Sequence, residues 1–306
     1  MEDKLLVVIG GATASGKSAT CRILAKAFQS EILSADSRQL YKGMDIGTAK
    51  ESPESLHEVP HHFINHLSVE QPYSAGDFER EGLKKLQILF ENHSILFLCG
   101  GSSMYIKALC EGLDDFPDVP ESIRNFYVDY FHSNGINALA ELLAKKDPEY
   151  AQKVDLQNPH RLIRALSVQE ASGRPFSSFL TVSKPQRPFQ LLYFWLDVDR
   201  PLLYHRINER VDLMMKQGLL EEAKNLYHNK NLIALQTVGY QELFEYLDGH
   251  LTLVEAVDKI KQNTRRYAKR QITWRRSQSH WININTQEPD YTGQIRLKIQ
   301  TWKKGF

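Results

Sequence analysis

Hydrophobic positions along the chain fall into short runs separated by segments of helical period, and the alternation is regular. Residues 4–10, KLLVVIG, form an apolar run of the kind that makes a strand buried on both faces. The run ends in glycines, and the following GKSATCRILAKAF places Ile23, Leu24 and Phe28 on one side of a helix. Further apolar runs appear in EILSAD, ending at Asp36, and in SILFLCGGSS, which contains Gly100 and Gly101. Two more are FQLLYFWLDVD and HWINI, residues 280–284. After the first of these, Asp199 stands at a cap position and Pro201 in the first turn of a long helix. Strands alternating with helices predict an α/β fold, a parallel sheet with helices on both faces.

Residues 114–188 break this order. They open on an acidic, proline-bearing linker, DDFPDVPE, and continue with helical period and no buried strand. SIRNFYVDYF and NALAELLAKK read as helices, and NPHRLIRALSVQEASG has Asn158 as cap, Pro159 in the first turn and Gly173 as stop. The expectation is an all-helical insertion at 114–188 within a core made of residues 1–113 and 189–306.

Length and composition add little to this picture. The chain has 306 residues, 42% apolar and 25% charged, as ordinary globular proteins do. Its three cysteines, Cys21, Cys99 and Cys110, form no C-x-x-C pair, which argues against a disulfide framework or a cysteine zinc site. The N-terminal apolar run is too short to span a membrane and lacks the basic start of a secretory signal, so a cytoplasmic protein without a membrane partner is expected. No coiled coil or long apolar surface stripe points beyond a monomer.

Charge changes the picture more. Residues 261–276, KQNTRRYAKRQITWRR, carry seven positive charges and no negative one, against +1 for the whole chain. The rest is therefore net about −6, and the basic stretch is a local feature able to meet phosphates. Tyr267 and Trp274 offer flat faces there for stacking, and Arg266, Arg270 and Trp274 recur at spacing four. A solvated basic helix explains the run equally well. Arg161 and Arg164, with Arg124, would extend a positive track.

The candidate chemistry begins at GATASGKS, residues 11–18, the G-x-x-x-x-G-K-[ST] pattern between a strand and a helix. Backbone N–H groups from Gly11, Ala12, Thr13, Ala14, Ser15 and Gly16 converge on an anion there, Lys17 reaches outer phosphate oxygens, and Ser18 can ligate Mg²⁺. The fold is then a P-loop NTPase-like sheet. Asp36, at the end of the next strand, places a carboxylate at the carboxyl edge of the sheet, where ligands of open α/β folds bind. Ser102, after the glycine pair, could hydrogen-bond a substrate. The adjacent His61 and His62 point to opposite sides of an extended chain and form no metal site by themselves.

These segments, with PHHFIN, YSAGDF, GLLEEAKNL and QTVGYQEL, resemble in content and order those of the tRNA dimethylallyltransferases, over nearly the whole chain. The resemblance implies transfer of a dimethylallyl group from dimethylallyl diphosphate to the N6 amine of the adenosine just 3′ of a tRNA anticodon, assisted by Mg²⁺. It makes Asp36 the general base and Lys17 and Ser102 catalytic, with the phosphate loop holding the diphosphate. Arg206 and Arg210 either touch that diphosphate or form a solvated helix face.

For tRNA, the resemblance implies contacts from Asp36, Ser37, Arg38, Gln39 and Ser102. To these it adds His160, Arg161, Leu162, Ile163 and Arg164, then Gln236, Thr237, Gly239, Tyr240 and Gln241. Arg124, Arg266 and Arg270 join them on charge. The insertion becomes the part that grips the anticodon stem-loop. His160 stands where the family often has arginine, and Ser102 where it usually has threonine. The rivals are an adenylate isopentenyltransferase acting on free AMP and a small-molecule P-loop kinase.

Overall fold

The computed structural model describes residues 4–180 and 185–304. The chain begins with β1 (Leu5–Gly11), α1 (Lys17–Ala27), β2 (Ile32–Ala35), α2 (Pro53–Glu58) and β3 (His61–His62). It continues through α3 (Ala75–Leu89), β4 (Ile95–Gly100) and α4 (Ser103–Glu111) into three helices, α5 (Glu121–Lys146), α6 (Pro148–Ala151) and α7 (Pro159–Ser172). Then come β5 (Gln190–Asp197), α8 (Arg200–Lys216), α9 (Leu219–Leu226), α10 (Tyr240–Leu247), α11 (Leu253–Arg276), β6 (Ile282–Asn285) and α12 (Tyr291–Lys304).

The strands lie in the order β3-β2-β4-β1-β5-β6, every pair parallel. Central β1 is buried throughout, and its alternate residues serve opposite faces. Leu5, Val7 and Ile9 pack with Cys21 and Leu24 of α1 and with Ile295 and Ile299 of α12. Leu6 and Val8 pack with Phe78 of α3, Leu109 of α4 and Ile260 of α11. Covering both faces is what makes the strand read as an unbroken apolar run. The order also sets the carboxyl ends of β2, β4 and β1 side by side, which brings Asp36, Gly100 and the phosphate loop to one edge.

The chain divides into two compact units, Met1–Glu111 with Gln186–Phe306, and Gly112–Pro185. The second has its own core of Tyr127, Leu139, Leu143, Leu162, Leu166 and Phe176. In α7 the Asn158 side chain accepts from the Arg161 N–H at 3.3 Å, Pro159 lies in the first turn, and Gly173 ends the helix at φ 70°. The two helices expected around residues 122–131 and 137–146 meet in α5 at a kink, Gly135, where φ is 78° and ψ 179°. At α8 one expectation fails: Asp199 precedes the helix but makes no side-chain capping bond. Pro201, with its pre-set φ, is the local signal that starts that helix. Among the described residues no helix is long and apolar enough to cross a membrane.

Candidate active site

Residues Gly11–Ser18 join β1 to α1. The Ser15 N–H donates to the Ala12 carbonyl at 3.1 Å, and both Ala14 and Gly16 take positive φ, 63° and 90°. Left-handed residues in a tight loop turn successive N–H groups toward one concave side, which favours an anion. Gly16 adopts this without steric cost, whereas Ala14 stores about 1–2 kcal/mol of strain, as residues of functional loops do. Helix α1 starts at Lys17 with no side-chain cap and no acid in its first turn, so its positive end stays open to a negative ligand.

A cavity of ≈ 70 Å³ lies behind the loop, with Thr13, Lys17, Ser18 and Arg210 on its wall. Burial lowers the Lys17 pKa from its ordinary 10.5, with Arg210 adding to the shift and Cys99 and Asp36 opposing it. Burial also lowers that of Arg210, against the pull of Asp36 and Glu51. Two cations partly desolvated together favour a multiply charged anion between them.

Asp36 and Gln39 line the same cavity. The Asp36 Oδ1 accepts from the N–H of Arg38 at 2.9 Å and of Gln39 at 3.3 Å, a turn that fixes the carboxylate. Oδ2 takes part in neither bond. The Gln39 amide donates to the carbonyls of Thr48 at 3.1 Å and Ala49 at 3.3 Å. Ser102 holds this turn and is not among the cavity-lining residues: its Oγ accepts from the Ser37 N–H at 2.9 Å and donates to the Ser37 hydroxyl at 3.2 Å.

Helix α11 supplies two groups that the sequence reading did not place here. The Gln271 Oε1 accepts from the Thr13 N–H at 2.8 Å, and its Nε2 donates to the Gly101 carbonyl at 2.9 Å, so one buried amide fastens the phosphate loop to the end of β4. Tyr267, one turn earlier, lines the cavity. Burial first and then Asp36 push its pKa up to about 12, with Ser102, Arg270 and Arg38 acting against them, so the hydroxyl stays protonated at neutral pH. The signal in the sequence was a neutral amide inside a run of cations, three places after Ala268, on the inward face of α11.

Placement divides the other candidates. Arg206, one turn before Arg210, is not among the cavity-lining residues. Within the basic run, Lys261 pairs with Asp212 at 2.6 Å, Arg265 bonds Asn208 at 2.6 Å, and Arg275 bonds the Trp281 carbonyl at 3.1 Å. Arg266, Lys269, Arg270 and Arg276 remain exposed. Trp274 is no open stacking face, since it packs edge-on to Trp281 with ring centroids 6.0 Å apart. Arg124, His160, Arg161 and Arg164 are exposed on the helical unit, whereas Leu162 and Ile163 are buried in its core. Their side chains serve packing, because inward positions of α7 recur at helical spacing.

A second, open cleft of ≈ 600 Å³ in the core unit is lined by Gln236, Gln241, Asn263 and Arg266. Thr237 is half-buried, while Gly239 and Tyr240 are buried, so the Tyr240 side chain faces the core and not a macromolecular ligand. Cys21, Cys99 and Cys110 are free and buried, and no disulfide framework exists among them.

A phosphate loop facing a fixed carboxylate across a polar cavity, at the carboxyl edge of a parallel sheet, defines a P-loop α/β protein built for group transfer. The family model described as IPP transferase matches residues 39–278. A tRNA dimethylallyltransferase of Christiangramia forsetii is 47% identical over 97% of this chain and 99% of that protein. One of Flavobacterium johnsoniae is 46% identical over 92% and 94%. Among solved structures, the full-length tRNA isopentenylpyrophosphate transferase from Bacillus halodurans superposes with a TM-score of 0.72 at 35% identity, covering 99% of this chain and 98% of that one. A eukaryotic dimethylallyltransferase acting on tRNA reaches a TM-score of 0.81 at 25% identity, covering 97% and 79%. The chain belongs to the IPP transferase family, among the tRNA dimethylallyltransferases.

Proposed function

We propose that this chain transfers a dimethylallyl group from dimethylallyl diphosphate to the N6 amine of the adenosine just 3′ of a tRNA anticodon, releasing diphosphate. The observation that carries the mechanism is the joining, in one cavity, of a cationic wall at Lys17 and Arg210 to the carboxylate of Asp36.

The allylic carbon–oxygen bond breaks, and its electron pair leaves with the diphosphate. The loop N–H groups, Lys17 and Arg210 absorb that charge, already oriented before the reaction begins. The amine lone pair forms the new carbon–nitrogen bond, and the Oδ2 of Asp36 takes the amine's proton. Ser102, through Ser37, and Gln39 hold Asp36 in place for that step.

The donor set suits Mg²⁺. Oxygen groups on the cavity wall include the Ser18 hydroxyl and the carboxylates of Asp36 and Glu51. Among the described residues, no group of three or more His, Cys, Asp and Glu side chains is placed to hold a metal ion unaided. Ser18 would be its protein ligand, Mg²⁺ at phosphate sites needing few ligands from the protein. When bound, it lowers the cost of charge on the departing diphosphate.

The exposed cations of α11, the cleft at Gln236 and Gln241, and the exposed Arg124, His160, Arg161 and Arg164 supply the tRNA surface, with the helical unit gripping the anticodon stem-loop. The adenosine leaves its stack to reach the amine-acceptor position. The test offers tRNA and AMP separately with dimethylallyl diphosphate, Mg²⁺ and no ATP, and follows nucleoside mass. Prenylated tRNA is expected; preference for AMP, or a requirement for ATP, refutes the reading.

A further inference from the structure

Glu222 lies on α9 in GLLEEAKNL, a segment that the mechanism above leaves without a task. Its Oε2 accepts from the N–H groups of Asp45 at 2.9 Å and Ile46 at 2.8 Å. Its Oε1 accepts from the Gly47 N–H at 2.9 Å and the Tyr240 hydroxyl at 2.7 Å. Three consecutive N–H groups and a hydroxyl need an acceptor with four lone-pair sites, which an ionised carboxylate has and a neutral amide lacks. Tyr240 is fully buried, and burial and Glu222 both raise its pKa, so it stays a donor. Its ring lies so close to Gly47 that an added Cβ would stand 2.6 Å from Cζ. The connection is thus locked from two sides.

The lock reaches the cavity through a short chain of bonds. Immediately after the pinned N–H groups, Thr48 and Ala49 present the carbonyls that receive the Gln39 amide. Gln39 in turn donates its N–H to Asp36. Thr48 and Gln39 both line the cavity. At the other end, Tyr240 opens α10 directly after Gln236–Gly239, the segment that leads into the cleft.

We propose that Glu222 is a positioning residue that pins Asp45–Gly47 to Tyr240, keeps Thr48 and Ala49 under Gln39, and so sets the orientation of Asp36 toward the acceptor amine. The proposal rests on the transferase reading above. A bare phosphate-binding role would not need it, because the phosphate loop is fastened independently by Gln271.

The test compares Glu222→Gln and Tyr240→Phe in the full chain by steady-state turnover, calorimetric affinity for dimethylallyl diphosphate with Mg²⁺, and hydrogen exchange at Asp45–Gly47. Glu222→Gln should lower kcat about ten- to a hundredfold, the scale of a small misplacement of reacting groups, and speed exchange at the three amides. Donor affinity should stay within about threefold, because the phosphate loop is untouched. Tyr240→Phe removes one of four donors, so it should show the same pattern at a loss of only about two- to fivefold. Faster exchange with kcat unchanged overturns the proposal. So does a parallel loss of turnover and donor affinity in Tyr240→Phe, which would mark a merely structural role and remains readable if Glu222→Gln does not fold. An unaltered chain that prenylates neither acceptor refutes the transferase reading itself, an outcome distinct from a variant that fails beside an active parent.

Discussion

The cavity behind the phosphate loop measures ≈ 70 Å³ and the cleft at Gln236, Gln241 and Arg266 ≈ 600 Å³, yet the smaller space is the more tightly built. In the cavity the carboxylate and the loop are held by hydrogen bonds, and the cations are drawn away from water. The Asp36 carboxylate closes a turn, Thr13 is clamped by Gln271, and Lys17 and Arg210 are partly withdrawn from water. In the cleft, exposed side chains satisfy one another: Gln241 donates to Gln236 at 2.6 Å, Gln236 to the Lys230 carbonyl at 2.7 Å, and Arg266 to Asn263 at 3.2 Å. Bonds of that kind can be exchanged for bonds to a ligand at little net cost. Chemistry on a developing charge needs the first arrangement, and recognition of a flexible nucleic-acid loop tolerates the second.

Substitutions should therefore separate the two regions by kinetic signature. The largest effect is expected at Asp36→Ala, which should cut kcat about 10²–10⁴-fold while leaving tRNA affinity near that of the parent, as filter binding would show. Near-normal turnover removes Asp36 as the base. Arg210→Ala should lower kcat/KM for the donor about ten- to a hundredfold, whereas Arg206→Ala should change it less than about threefold, in competition kinetics with a fixed tRNA concentration. Equal effects would mean that both arginines reach the diphosphate.

Arg266→Ala should raise the KM for tRNA about five- to tenfold with kcat intact, and reduce the salt slope of binding by about one. A kcat defect there would erase the distinction between cleft and cavity. The smallest and most graded effect is on pH. Because folding lowers the Lys17 pKa, the ammonium is lost below 10.5, and donor affinity should decline as pH rises through that shifted value. In the same window the unfolded chain holds the extra proton, so this residue makes stability rise with pH. Calorimetric titrations of the donor and thermal melts across the alkaline range check both signs; an affinity that holds up to pH 10.5, with no rise in stability, would show that Lys17 is solvated.

The fold was legible where information is local. Short apolar stretches announced five of the six strands, and Asn158, Pro159 and Gly173 marked both ends of α7. Strand β3 escaped because two histidines, His61 and His62, are too short to show a period. The site was legible in part. Lys17, Ser18 and Asp36 stand out by spacing and by position after strands, whereas Gln271 lies 258 residues from the Thr13 N–H that it receives. Charge counting treated the basic run as one surface, but three of its cations are spent on Asp212, Asn208 and the Trp281 carbonyl. Spacing four also grouped Trp274 with the exposed arginines, although its ring packs against Trp281.

What the sequence alone determined is the alternation of buried strand and amphipathic helix, the anion-binding turn between β1 and α1, and the carboxylate at the end of β2. Each follows from neighbouring residues, through backbone sterics and the period of the hydrophobic pattern. Which cations line the cavity, which serine holds the Asp36 turn, and how Glu222 and Gln271 secure the loops around it were decided by tertiary structure. Those bonds join segments brought together by burying both faces of one parallel sheet, and no local rule of spacing encodes them.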